Sequence, residues 1–102
     1  MEHLPAPVGT VLTTLGANLK TARLRRGLTV QELAEQVGVS RQLVAEAERG
    51  KPMTGVAVYA ALLWALGLLD GLADVANPGK DKVGLAGALV QGRSRGRRAD
   101  DS

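Results

Sequence analysis

The clearest pattern in the chain is a pair of short apolar stripes, each bounded by capping residues. Leu33, Ala34 and Val37 recur at helical spacing after Thr29, and Glu32 stands three residues beyond that threonine, as in a capping box. Gly38 closes this segment. Ser40 opens the next, in which Val39, Leu43, Val44 and Ala47 read as buried, and Gly50 ends it. Two short helices joined by "GVS" have the turn length of a helix-turn-helix unit. Upstream, Leu12, Leu15, Leu19 and Ala22 form a stripe on a helix expected from about Thr10 to Arg26, with Gly27 at its C-terminal end. Residues 1–9, with two prolines and a glycine, read as a flexible lead. Downstream of Lys51-Pro52, Thr54 is suited to cap a fourth helix ending at Gly67, and a short fifth helix is expected over residues 68–75. Asn77-Pro78-Gly79 is a turn signal. The apolar, glycine-rich "VGLAGALVQG" carries no clear element, and "RSRGRRADDS" reads as a disordered tail.

No strand-like alternation stands out, and the fold class expected is all-α. The chain is 45% hydrophobic over 102 residues, enough for one modest core, which Leu, Val and Ala must supply because aromatic residues are limited to Trp64 and Tyr59. With no cysteine and a single histidine, disulfides, thiolate metal sites and Ser-His-Asp chemistry fall away. There is no paired acid and base, and "VGLAG" lacks the strand and Lys-Ser/Thr context of a phosphate loop, so neither an enzyme nor a cofactor is expected. The N-terminus lacks the pattern of a signal peptide. The uncharged run over residues 54–69 is sixteen residues long, short of the roughly 20 that span a bilayer, so no membrane partner and a cytoplasmic, nucleoid-associated location are expected.

Charge points to an anionic partner. The net charge is +3, and residues 20–51 hold seven basic against four acidic side chains. On a helical wheel with Arg41 at the origin, Arg41, Gln42, Ala45, Glu46 and Arg49 share an arc of about 140° opposite Leu43, Val44 and Ala47. That outer set suits the major groove. Arginine pairs with guanine O6 and N7, glutamine with adenine N6 and N7, and glutamate accepts from cytosine N4, while alanine allows close approach to a thymine methyl.

At this point the sequence resembles a family. "LKTARLRRGLTVQELAEQVGVSRQLVAEAERGKP", residues 19–52, is similar to the helix-turn-helix domain of the phage-repressor and Cro family, the XRE family, through the pattern LT-x-x-ELA-x-x-x-GVSR…E-RG. The resemblance implies a compact five-helix DNA-binding domain over residues 10–76, with a C-terminal extension over residues 77–102. It implies base contacts from Arg41, Gln42 and Glu46, with Ala45 beside them, and a structural ion pair between Arg23 and Glu48. The family usually has a phosphate-binding glutamine after "LT"; here Val30 stands there and Gln31 follows. Thr29, Gln31, Ser40, Arg49 and Lys51 are the candidate phosphate contacts, with helix capping an equal role for Thr29 and Ser40.

The fourth helix is apolar throughout. Tyr59, Leu62, Leu63, Trp64 and Leu66 are expected to meet the C-terminal segment or a second copy, in keeping with homodimers that bind palindromic operators, the alternative being a plain internal core. The C-terminal half, through "LGLLDGLADVANP", Asp81, Gly84 and the basic end, resembles small HipB-like regulators found beside HipA-type kinases. That likeness implies an antitoxin that represses its own operon and binds a HipA-like Ser/Thr kinase toxin; the alternatives are a stand-alone repressor without a toxin and a helical protein-interaction or membrane-associated adaptor. Arg93, Arg95, Arg97 and Arg98 suit either DNA phosphates or an acidic kinase surface.

Overall fold

The computed structural model describes residues 4–94. It contains α1 (Ala6–Arg25), α2 (Val30–Val37), α3 (Arg41–Glu48), a one-turn 3-10 helix (Pro52–Thr54), α4 (Val56–Ala65), α5 (Leu69–Ala73) and α6 (Lys82–Ser94). Among the described residues there is no strand.

Three boundaries differ from the sequence pattern, each for a local reason. The last four residues of the expected lead, 6–9, are helical: Pro5 is the N-cap of α1 and Pro7 lies in its first turn. Proline is tolerated there because the first N–H groups of a helix have no partner to lose. Thr54 does not cap α4. It ends the 3-10 turn, and α4 follows Gly55 with no side-chain cap. The glycine-rich segment is helical as α6, capped by Asp81, whose Oδ1 accepts from the N–H of Gly84 at 2.9 Å.

The chain divides into two compact units, residues 1–72 and 73–102. In the first, Leu19 and Ala22 of α1, Leu33 and Ala34 of α2, Val44 and Ala47 of α3, and Tyr59, Leu62 and Leu66 of the α4 segment form one core. Leu33, Val44, Ala47 and Leu62 are fully shielded from solvent. The phenol of Tyr59 donates to the Lys51 carbonyl at 3.0 Å, fastening α4 to the chain that leaves α3. In the second unit, Asp74 accepts from Lys80 and, at 2.8 Å, from Asn77, and Asn77 accepts from the Gly79 N–H at 2.8 Å. These bonds tie residues 74–80 into a closed turn ahead of α6. No helix of the described residues is long and apolar enough to cross a membrane, and the uncharged run over residues 54–69 is split by Gly55 and Gly67.

Candidate nucleic-acid interface

The interface begins with two caps. The Thr29 hydroxyl accepts from the Glu32 N–H at 3.0 Å, and the Glu32 carboxylate accepts from the Thr29 N–H at 2.8 Å, closing the capping box of α2. These bonds from Thr29, backbone first, hold the Glu32 carboxyl below its ordinary value. Gly38 then takes φ +80°, a left-handed conformation that favours glycine, so the chain turns sharply after α2. Ser40 accepts from the Leu43 N–H at 3.1 Å and starts α3. Both capping hydroxyls are used as acceptors, and each keeps its own hydrogen to donate from an exposed side chain.

A second set of contacts fixes the attitude of α3. Arg23 donates through Nε to Glu48 Oε2 at 2.7 Å and through Nη2 to Oε1 at 3.0 Å, while Nη1 reaches the Leu28 carbonyl at 2.8 Å. Both side chains are only 7% exposed. The hydrogen bonds to Glu48 raise the Arg23 value further above its ordinary level, against the opposing effect of burial. One guanidinium thus joins α1, the α1–α2 loop and the end of α3. Backbones also meet directly. A Cβ at Gly16 of α1 would lie 2.5 Å from the Ala47 carbonyl oxygen and 2.6 Å from that of Glu48. Gly50, at φ +70°, is pressed in the same way against the Leu12 carbonyl.

With its inner side held, α3 presents Arg41 and Gln42 fully outward and Ala45 and Glu46 half-exposed, and Arg49 follows at its C-cap. Gln42 donates to Glu46 Oε2 at 3.3 Å, a long bond that leaves the Gln42 carbonyl oxygen and the second Glu46 oxygen open. Val30, at the position where the family pattern expects glutamine, packs against the core. Gln31 is exposed beside it and donates to Glu35 at 3.1 Å.

The arrangement is matched by a family model, described as a helix-turn-helix domain, over residues 14–76. The chain belongs to this helix-turn-helix family. It is therefore a DNA-binding regulator, and α2, the turn at Gly38 and α3 form its helix-turn-helix. No curated protein and no solved structure gives a significant match.

Within this helix-turn-helix domain the structure separates residues that look alike in sequence. Arg49 and Lys51 line an open groove of about 570 Å³ with Thr10, Thr13 and Thr14 of α1. Those threonines were not among the sequence candidates; their spacing of three and four residues, which sets them on one helical face, was the available signal. The expected dimer face changes. Tyr59, Leu62 and Leu66 are at most 4% exposed and belong to the protomer's own core, so they leave no surface for a second copy. Leu63 is half-buried against the same core. Trp64 alone of the five is exposed, at 62%. Arg93 lies in α6, and Arg95, Arg97 and Arg98 lie outside the described residues.

Proposed function

We propose that the protein is a sequence-specific, homodimeric transcriptional repressor. The observation that carries this reading is the pairing of opposite sides on α3: Val44, Ala47 and Glu48 are locked inward, while Arg41 and Gln42 stand exposed at its N-terminal end. A helix so held can place an arginine and a glutamine against base edges without bending to do so. Glu46 and Ala45, one turn on, read the adjoining pairs. Thr29, Gln31, Ser40, Arg49 and Lys51 hold the register on phosphate oxygens, which costs no sequence information and makes affinity salt-dependent.

The finer reading is an autorepressing antitoxin that binds a HipA-like Ser/Thr kinase. Its support is the C-terminal resemblance, together with α6, where Val83, Leu85, Leu89 and Val90 are all more than half exposed. A helix of 13 residues with glycines at 84, 87 and 92 is marginal in water by itself, so these side chains favour a partner over solvent. Footprinting on the DNA upstream of its own gene, with and without the product of the neighbouring gene, tests both levels. Protection strengthened by a neighbouring kinase supports the antitoxin. Protection indifferent to it, in the absence of any complex, leaves a stand-alone repressor. No salt-sensitive protection at all would overturn the DNA-binding assignment of α3.

A further inference from the structure

We infer that two copies pair through the outer face of α4, antiparallel, with Trp64 of each seated over Ala57 of the other. The inference rests on the homodimeric reading above and supplies its interface.

At about 100° per residue, Val56, Ala57, Ala60, Ala61 and Trp64 occupy one arc of about 140°, opposite Tyr59 and Leu62. None of the five is charged or polar. Val56 is 71% and Trp64 62% exposed, Ala57 is exposed, and Ala60 and Ala61 are half-exposed. A helix face of a water-facing domain ordinarily carries polar residues on this side. Here the largest side chain of the protein stands beside three of the smallest. The arc is complementary to itself under one symmetry. A two-fold axis passing between residues 60 and 61 brings position 64 opposite position 57, because each residue then faces the one equally far on the other side of the axis. Both positions lie at the centre of the arc. A bulky ring therefore meets a small residue twice, and Ala60 and Ala61 let the backbones approach at the axis itself. A parallel pair would set Trp64 against Trp64, leave Ala57 against Ala57, and align the two helix dipoles unfavourably.

The area sets the strength. A tryptophan of roughly 250 Å² at this exposure, with the valine and three alanines, offers on the order of 400 Å² per copy. About 800 Å² for the pair falls below the roughly 1,200 Å² of stable complexes and in the range of weak ones. The dimer is thus expected to be weak in free solution and to be closed by two half-sites on DNA, where avidity replaces area. An isologous contact with a two-fold axis also matches a palindromic operator.

The chain has no cysteine, so single cysteines report the geometry without interference. In the intact protein, Ala60→Cys should link to its twin under mild oxidation. Val56→Cys should not, because antiparallel pairing holds the two copies of that position on the order of 13 Å apart along the helices, beyond the roughly 7 Å limit for a disulfide. Trp64 is the single tryptophan, and its emission should shift to the blue with concentration in the micromolar range. Trp64→Glu should keep its helical content and melting temperature and bind a two-half-site operator at least about 100-fold more weakly, while its affinity for one half-site is unchanged. Linking at Val56 as readily as at Ala60 would overturn the antiparallel arrangement. A dimer by sedimentation without any link at Ala60 would overturn this interface and leave the homodimer standing. A monomer at every concentration that also binds a two-half-site operator without cooperativity would overturn both. An emission already blue at nanomolar concentration would assign the face to the chain's own segments and overturn the pairing.

Discussion

α3 and α4 are successive helices packed on one core, and their inner sides are alike: Val44 and Ala47 on the first, Tyr59 and Leu62 on the second. Their outer sides are opposites. The outer arc of α3 carries arginine, glutamine and glutamate; that of α4 carries valine, alanine and tryptophan only. The contrast separates two tasks. Polar groups on a held helix can exchange water for base edges and phosphates at little cost, since those partners return every hydrogen bond. An apolar arc gains only where another apolar surface covers it. On the reading proposed above, one face is offered to nucleic acid and the other to a second copy, with a shared interior between them.

The comparison is most easily broken from within. Glu48→Ala should cost about 3–5 kcal/mol of folding stability, since it strands the Arg23 guanidinium among buried groups; a calorimetric melting temperature equal to wild type would count against the ion pair as the clamp of α3. On the other helix, Leu62→Ala should cost about 2–5 kcal/mol as a fully buried leucine leaves a cavity, whereas Trp64→Ala, on the outer arc, should leave the urea midpoint nearly unmoved. Equal midpoints for the two variants would mean that the inner and outer arcs of α4 are wrongly divided. Arg41→Ala and Gln42→Ala should each weaken specific DNA binding by about 1–3 kcal/mol and relax the preference at one base pair, with folding unchanged. Selection from a randomised operator library reads this directly, and an unaltered consensus for both would remove base reading from α3.

The smallest effect is that of pH on the cap of α2. The Glu32 carboxyl is held below its ordinary value by Thr29. A depressed folded value stabilises the fold at any pH above the unfolded value, and that contribution disappears as pH falls through the depressed one. Protection of the Thr29 amide from hydrogen exchange should therefore be lost only below the usual glutamate range, and Glu32→Ala should abolish that acid limb. Asp74, lowered chiefly by Lys80 and then by Asn77, should show the same sign in the other unit.

The helix-turn-helix was largely legible in the chain because its signals are local. A threonine three residues before a glutamate, a serine before an apolar stripe and a glycine at the turn each act within a few residues of themselves. The Arg23–Glu48 contact came only through the family pattern, being 25 residues apart in sequence. α4 was illegible for the opposite reason. Every position from Val56 to Leu66 is apolar, so no period distinguishes Tyr59 and Leu62, which are core, from Trp64, which is surface. Gly16 gave no warning either: a mid-helix glycine costs about 1 kcal/mol against alanine wherever it sits, and only the fold shows that Ala47 and Glu48 need its missing side chain.

Arg23 touches α1's neighbours on both sides, yet nothing it touches lies on the outer arc of α3. The one side-chain bond that the structure shows among positions 41, 42 and 46, from Gln42 to Glu46, stays within α3 and ties it to no other element. Substitutions there can accumulate, recombine and be tried against new operators while the scaffold stays as it is. In descent from a common ancestor, relatives of this chain are expected to keep the clamp and diverge at the proposed reading positions, which would let one architecture serve many different control regions.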